Sequence, residues 1–172
     1  MLPDYLERDL TAVFVGTSVS TISAEAGHYY ANPRNKFWTL LAATGLLGDD
    51  RLGPEYDSHV CDYGVGLTDV VKFRAESSDA RLRPEDFGPG ALVEKILACQ
   101  PRAVAFNGEK AGTIVAEHLR EAPMRVSGPG DWTIGTSFVY RLPSSSSAAA
   151  EIGWRAKLTA WVAFGDGVRA LD

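Results

Sequence analysis

Two short apolar runs constrain the fold of this chain more than any other feature. They are TAVFVG at residues 11–16 and AVAFNG at residues 103–108, and each one ends in glycine. Neither run alternates between apolar and polar residues, as a strand with one solvent-exposed face does. Strands that are apolar on both faces lie in parallel or mixed sheets with helices on both sides. The sequence therefore predicts an α/β fold, a three-layer α/β/α sandwich around a central, mostly parallel sheet.

The rest of the chain supplies the helices of that sandwich. Helical spacing and helix start and stop signals predict helices over residues 34–47, 84–100, 109–119 and 149–164, with a shorter one within 53–63. Residues 132–143 predict a pair of strands. Residues 64–71, GVGLTDVV, are interpreted as a glycine-rich turn that runs into a short apolar segment. The predicted order is β–α–(α)–α–β–α–β–β–α, in one domain over residues 1–172.

Three segments follow the carboxyl ends of the predicted strands. In sheets of this kind, ligands bind beyond those ends. The segments are residues 16–33, 107–110 and 144–150, and the first is far longer than the roughly two to six residues that a simple connection needs. We therefore expect the three segments to meet at one edge of the sheet and to form the functional site.

The composition sets limits on the class of protein. No apolar run approaches the roughly 20 residues that span a bilayer, and the polar start MLPDYLERDL does not resemble a signal peptide, so we expect a cytoplasmic protein without a membrane partner. The net charge of −5 argues against indiscriminate nucleic-acid binding. A local groove that binds phosphates on an acidic body remains compatible with that charge.

The cysteines and histidines do not suggest a metal site. Cys61 and Cys99 are far apart and form no CxxC motif, which favours two buried free thiols over a disulfide in a cytoplasmic chain. His28, His59 and His118 have no metal-ligand spacing. We expect neither a metal nor another cofactor.

Four motifs occur in order along the chain. They are GTSVSTISAEAGHYYANPRNKFW (16–38), GLTDVV (66–71), FNGEKA (106–111) and LPSSSSAAA (142–150). Together they resemble the mismatch-specific uracil/thymine DNA glycosylases of the uracil-DNA glycosylase superfamily, over nearly the whole chain. The resemblance implies a base excision repair enzyme that flips a damaged base out of DNA and hydrolyses its N-glycosidic bond.

The resemblance also implies roles for residues of the first and third motifs. Tyr30 matches the aromatic residue that stacks on the flipped base, although a partly buried core tyrosine is the alternative interpretation. Ser23 and the backbone around Thr17–Ile22 match the pocket wall next to the edge of the base. Asn107 matches a segment near the base. Asn35 either contributes to the pocket or only braces the helix that it opens, and the roles of His28 and Tyr29 stay open.

The first motif departs from the family at one position. The family pattern Gly-Ile-Asn-Pro-Gly contains an asparagine that positions the attacking water, and this chain has Ser18 in its place. Asp69 in GLTDVV is the candidate to replace it, because a carboxylate orients water and stabilises the positive charge that develops on the sugar. We predict Asp69 as the catalytic residue with Ser18 as a helper. The alternative is that Asp69 caps a short helix or turn.

The last motif departs from the family as well. Ser144, Ser145, Ser146 and Ser147 match phosphate-contacting positions, with a helix N-cap as the alternative or additional role. Mismatch-specific relatives place a large residue next, which fills the space that the flipped base leaves. This chain has Ala148, Ala149 and Ala150 there. We therefore expect weak affinity for duplex DNA and a preference for mispaired or single-stranded targets.

The sequence thus predicts a monofunctional, monomeric DNA glycosylase in which water is the nucleophile. Uracil, above all in mispairs, is the leading substrate, and hypoxanthine or another deaminated base is the main variation. One alternative is a lesion-binding protein that lost turnover with the missing asparagine. Another is an enzyme that acts on free nucleosides or nucleotides, which the acidic charge and the small residues of the last motif suggest.

Overall fold

A five-stranded sheet forms the centre of the protein. The computed structural model describes residues 1–124, 128–149 and 151–171, and the strand order is β2-β1-β3-β5-β4. The strands are β1 (Ala12–Ser18), β2 (Val65–Val71), β3 (Ala103–Asn107), β4 (Gly128–Ile134) and β5 (Ser137–Leu142). β1 pairs in parallel with β2 and β3, and β3 pairs in parallel with β5, whereas β4 is antiparallel to β5 at one edge. The predicted mostly parallel sheet is confirmed.

Helices cover both faces of the sheet. They are α1 (Thr21–Ala26), α2 (Phe37–Ala43), α3 (Pro89–Cys99), α4 (Glu109–Leu119) and α5 (Trp154–Arg169), together with a 3₁₀ segment at Pro54–Tyr63. One core cluster joins the sheet to α2, α5 and the 3₁₀ segment, and a second joins the opposite face to α3 and α4. In the first cluster, Phe14 of β1 stacks on Trp161 of α5 with ring centroids 5.5 Å apart. The predicted three-layer sandwich is therefore confirmed.

Among the described residues, no helix combines the length and the apolar character that a bilayer crossing requires.

The strand β2 is the main difference from the sequence prediction. All of its residues are buried, whereas the sequence analysis interprets this segment as a turn followed by a short apolar piece. Gly64 alone makes the turn, with φ of +71°, and the strand begins at the next residue. The amino-terminal segment covers the strand, because Tyr5 and Leu67 exchange backbone hydrogen bonds of 3.0 Å. This cover explains why residue 66 is a glycine, because a Cβ atom there would come within 2.9 Å of the Tyr5 carbonyl oxygen.

Several predicted helices have different bounds in the structure. α2 ends at Ala43 instead of residue 47, and Gly45, with φ of +77°, takes the chain out of the helix. α5 begins at Trp154 instead of residue 149, after Gly153 in extended conformation. Both cysteines are free thiols, as predicted, although Cys61 is only half-buried.

The parallel strands bring their carboxyl ends to one edge of the sheet. The segments that follow β1, β3 and β5 meet at that edge, as the sequence analysis predicts, and the segment after β2 joins them.

Candidate active site

A cleft of about 740 Å³ lies at the carboxyl ends of the parallel strands. Every residue that the sequence analysis assigns to the site lines this cleft, namely Thr17, Ser18, Ser23, Tyr30, Asp69, Asn107, Ser144, Ser145, Ser146, Ser147 and Ala148. Ala150 of the last motif lies outside the described residues. The fold thus brings together residues that are up to 131 positions apart in the chain (17 to 148).

Asp69 is a buried carboxylic acid at the cleft. It lies within β2, in register with Gly16 of β1, and is 4% exposed. Its Oδ2 atom has no hydrogen-bond partner among the described residues. Burial raises the pKa of Asp69 to about 7; Lys72 opposes part of this rise, and Asp4 adds to it. The interpretation of Asp69 as a helix or turn cap is wrong, because the residue lies inside a strand. A carboxyl group whose pKa is close to neutral suits general acid–base chemistry.

Tyr30 forms part of the cleft wall and points its hydroxyl inward. One face of its ring stacks on Phe37, with centroids 3.9 Å apart and 16° between the planes. The residue as a whole is half-buried, and its hydroxyl oxygen is buried and lacks a hydrogen-bond partner among the described residues. Burial raises the pKa of the Tyr30 hydroxyl, the nearby Asp69 raises it further, and the side chain of Asn107 opposes part of the rise. The backbone of Tyr30 is left-handed, with φ of +52°.

Serine hydroxyls hold the long first loop in shape. Ser20 caps α1 by accepting a hydrogen bond of 3.1 Å from the Ser23 backbone N–H. The buried Ser23 Oγ in turn accepts one of 3.0 Å from the Ala31 N–H, the residue after Tyr30. Ser23 thus closes the loop on itself, which fits its predicted place in the pocket wall.

Ser18 and Thr17 attach β1 to the segment that follows β2. Ser18 Oγ donates a hydrogen bond of 3.2 Å to the Glu76 carbonyl oxygen, and Thr17 Oγ1 donates one of 3.4 Å to Asp79. The Ser18 hydroxyl is therefore bonded to the protein backbone. Asp69 Oδ2, by contrast, has no hydrogen-bond partner among the described residues.

Asn107, at the end of β3, is hydrogen-bonded to the serine turn, which comprises residues 144–147. Its Nδ2 donates a hydrogen bond of 2.8 Å to Ser145 Oγ, and its Oδ1 accepts one of 2.9 Å from the Ser145 N–H. Within the turn, Ser144 Oγ accepts from the Ser146 N–H and Ser146 Oγ accepts from the Ala148 N–H. The interpretation of these serines as the N-cap of the following helix is wrong, because α5 begins later and its N-cap is Gly153.

Comparison with known proteins assigns the family. The family model of the uracil DNA glycosylase superfamily matches residues 3–163. The chain belongs to the uracil DNA glycosylase superfamily. Its structure is also similar to one solved by NMR in solution for a protein of Methanosarcina acetivorans that carries the provisional name uracil DNA glycosylase, with a TM-score of 0.64. The two sequences are 25% identical, and the match covers 98% of this chain and 96% of the other. Members of the superfamily are DNA glycosylases, which act on DNA.

Several residues that shape the site of this superfamily member have no recognisable signal in the sequence. Residues 76–80 line the cleft, although the composition suggests only a polar loop. Asp57, in the 3₁₀ segment, is buried and accepts a hydrogen bond of 2.8 Å from the Tyr29 N–H. Its carboxylate also pairs with His28 Nδ1 at 3.1 Å. No local pattern reveals this brace, because the partners lie 28 and 29 positions away. Asn35 braces the start of α2 by accepting a hydrogen bond from the Phe37 N–H, and it also lines the cleft, so the structure combines the two interpretations.

The cleft carries more acidic than basic side chains. Its acidic residues are Asp69, Glu76, Asp79, Glu109 and Glu151, against the basic Lys110 and Arg141. Arg141 is already paired with Glu109 at 3.1 Å. In the described ranges, no group of three or more histidine, cysteine or acidic side chains is placed to hold a metal ion. The rim of the cleft therefore offers mainly serine hydroxyls and backbone N–H groups to an anion, with few cations.

Replacing Asn107 with alanine is expected to destabilise the protein markedly. The substitution removes both hydrogen bonds to Ser145, which is 1% exposed, and leaves a buried N–H and a buried hydroxyl without these partners. We expect the free energy of unfolding to fall by about 2–3 kcal/mol, measured by urea denaturation. The matched control is Asn32→Ala, which removes a hydrogen bond to the Arg34 N–H at an exposed turn. Equal losses in the two variants would contradict the bracing role of Asn107.

Proposed function

We propose that this protein hydrolyses the N-glycosidic bond of a deaminated base in DNA by a water-mediated reaction. Uracil, above all in mispairs, is the leading substrate, as in the mismatch-specific branch of the superfamily. Hypoxanthine or another deaminated base is the main variation. We further propose that the protein works as a monomer in the cytoplasm.

The observation that carries this proposal is the state of Asp69. A buried carboxyl with an unpartnered oxygen and a pKa raised to about 7 is costly to maintain in a folded protein. Such a group takes a proton from water when it is ionised, and its negative charge stabilises the oxocarbenium-like sugar of the transition state. Asp69 therefore supplies in one side chain what the asparagine of the family motif does through its carboxamide.

The cleft walls suit a base that has been flipped out of the stack. The Tyr30 ring, which packs on Phe37 on one face, lines the cleft and offers a stacking surface to a flipped base. The serine turn offers hydroxyls to phosphates beside it. Ala148 is exposed but small, so it replaces little of the lost stacking. These features favour targets that open readily, such as mispaired or single-stranded bases.

The only cleft lysine that the described part of the chain contains is not placed for covalent chemistry. Lys110 is exposed, with its ammonium 5.7 Å from the centroid of the Phe87 ring. A lysine that forms a Schiff base needs a lowered pKa, which a desolvated pocket provides. Water is therefore the nucleophile that we propose, and the enzyme is monofunctional.

One observation favours a second candidate function. Ser18 stands in place of the family asparagine, and its hydroxyl is bonded to the Glu76 carbonyl. A protein that kept the pocket but lost turnover would bind lesions without cleaving them. Asp69 distinguishes the two candidates, since a pure binding protein gains nothing from a buried, unpartnered carboxylic acid.

Alkali-induced strand cleavage on labelled oligonucleotides tests the proposal. The substrates carry uracil, thymine or hypoxanthine opposite each base and in single strands, with free deoxyuridine as a further substrate. We expect excision of a deaminated base and faster excision from mispairs than from stable pairs. Binding without cleavage on every substrate would establish the lesion-binding alternative. Release of base from deoxyuridine alone would indicate an enzyme of free nucleosides.

A further inference from the structure

Among the described residues, two buried polar atoms at the cleft lack hydrogen-bond partners, and the side chains that carry them both approach Gly16. Within the described residues, the Tyr30 hydroxyl and Asp69 Oδ2 are the buried side-chain polar atoms without a hydrogen bond. Native proteins satisfy the great majority of such atoms, because an unsatisfied buried polar group destabilises the folded state. That both exceptions occur on facing residues of one cleft points to a bound molecule that satisfies them together.

Gly16 fixes how far apart these side chains are. A Cβ atom built on Gly16 would overlap Asp69 Oδ1 and would lie 3.1 Å from the Tyr30 hydroxyl oxygen. The Cβ position thus lies less than 3.0 Å from Asp69 Oδ1 and 3.1 Å from the hydroxyl oxygen of Tyr30. These two oxygen atoms are therefore at most about 6 Å apart. A water molecule that donates both hydrogens through bonds of about 2.8 Å, at its H–O–H angle of about 105°, joins two acceptors about 4.4 Å apart, which lies within that limit. Because Gly16 has no side chain, Asp69 and the Tyr30 hydroxyl both pack closely against it, where a Cβ atom would collide with Asp69.

We propose that the Tyr30 hydroxyl and the Asp69 carboxylate hold the attacking water between them, so that Tyr30 is a catalytic residue as well as the stacking surface. The inference rests on the proposed function. Asp69 accepts one hydrogen of the water, and the neutral Tyr30 hydroxyl accepts the other. A lone pair of the water oxygen remains free for C1′ of the sugar.

The chemical step balances with these groups alone. The water oxygen forms a bond to C1′ while the N-glycosidic bond breaks, and the base leaves with that electron pair. Asp69 takes the proton that the water loses. Protonation of the departing base by solvent or by Asp69 completes the hydrolysis, and Tyr30 changes neither its charge nor its bonds.

The surroundings of Tyr30 hold its hydroxyl in one place. Its ring packs on Phe37, which belongs to the buried core. The backbone N–H groups on either side are both fixed, that of Tyr29 by Asp57 and that of Ala31 by Ser23. These anchors support the left-handed backbone at Tyr30, a conformation that costs free energy in a non-glycine residue. A group held in this way positions a reactant without reorganisation.

Tyr30→Phe isolates the hydroxyl, because it keeps the ring and its contact with Phe37. Single-turnover excision at saturating enzyme is expected to slow on the order of 100-fold. Affinity for an oligonucleotide with 2′-fluoro-2′-deoxyuridine, whose N-glycosidic bond resists cleavage, is expected to stay within about twofold of wild type. The melting temperature is expected to stay equal or rise, since the substitution removes a buried hydroxyl that has no protein partner.

Tyr63→Phe is the matched control. The Tyr63 hydroxyl donates a hydrogen bond of 2.8 Å to Asp50, outside the cleft, so its loss should leave the excision rate unchanged. If wild type cleaves and Tyr30→Phe cleaves at the same rate, the inference about Tyr30 is wrong and the proposed function stands. Weaker binding with an unchanged rate at saturation would overturn it too, because the hydroxyl would then contact the base. Absence of cleavage by wild type on any substrate refutes the proposed function itself.

Discussion

Replacing Asp69 with asparagine is expected to abolish base excision while leaving lesion binding intact. Asparagine has nearly the shape of aspartic acid but accepts no proton from water and carries no negative charge for the developing oxocarbenium ion. A general base contributes about 10²–10⁴-fold to a rate, and the lost charge adds to that effect. We therefore expect a loss of at least about 10³-fold in single-turnover excision. Gel shifts with a lesion-bearing oligonucleotide should show unchanged affinity.

The same substitution is expected to stabilise the folded protein above neutral pH. The pKa of Asp69 is about 7 in the folded state, against 3.8 for an unburied aspartate side chain. The folded state therefore binds more protons between these values, and stability falls as pH rises from about 4 to 7. The carboxamide of the variant does not titrate, so Asp69→Asn keeps the stability that wild type loses. The gain at pH 8 is up to about 4 kcal/mol and vanishes near pH 4.

Asp57→Asn is the control for this stability effect. Asp57 is as buried as Asp69, but its carboxylate is bonded to the Tyr29 N–H and to His28. Its replacement should lower stability at pH 8, because charged hydrogen bonds are lost with no gain from removing an unpaired charge. Melting temperatures at pH 5 and pH 8 measure both variants. An Asp69→Asn protein that is less stable than wild type at pH 8, or that retains a tenth of the activity, would contradict the assignment.

The sequence predicts the architecture well where burial alone determines the structure. The runs ending at Gly16 and Gly108 are apolar on both faces, and the structure places both strands in the centre of the sheet. The same pattern does not predict β2 as a buried strand, because Gly66, Thr68 and Asp69 interrupt its run of apolar residues. Those residues are tolerated inside the sheet for tertiary reasons. Tyr5 covers the strand at Gly66, and Asp4 accepts a hydrogen bond from Thr68.

The position of the cleft is predictable, whereas the hydrogen bonds within it are not. The lengths of the segments after the strands and the parallel topology are sufficient to bring the predicted residues to one edge. The pairing of Asn107 with Ser145 and of Ser18 with Glu76 depends on side-chain rotamers and on loops 38 and 58 residues away. The approach of Tyr30 to Asp69 depends on the small size of Gly16. Such contacts arise from packing and have no local sequence signal.

The rate of excision is expected to rise with pH and to level off above about pH 7. Asp69 works as a base only when it is ionised, and burial raises its pKa to about 7. Below that value the ionised fraction falls tenfold per pH unit, so the rate at pH 5 should be about 1% of the plateau. Single-turnover excision between pH 5 and pH 9 at constant ionic strength measures the profile, with affinity determined at each pH. A profile that is flat from pH 5 to pH 8 would exclude Asp69 as the base.

A shift of the midpoint in Lys95→Met tests whether Asp69 is the titrating group. The charged groups that act on Asp69 are Lys72 and Lys95, which lower its pKa, and Asp4, which raises it. Lys95 lies outside the cleft lining and pairs with Asp4 at 2.5 Å. Its removal leaves the Asp4 charge less compensated, so the midpoint of the pH profile should move to higher pH with the plateau rate kept. An unchanged midpoint would assign the titration to another group, whereas a lower one would contradict the signs of these interactions.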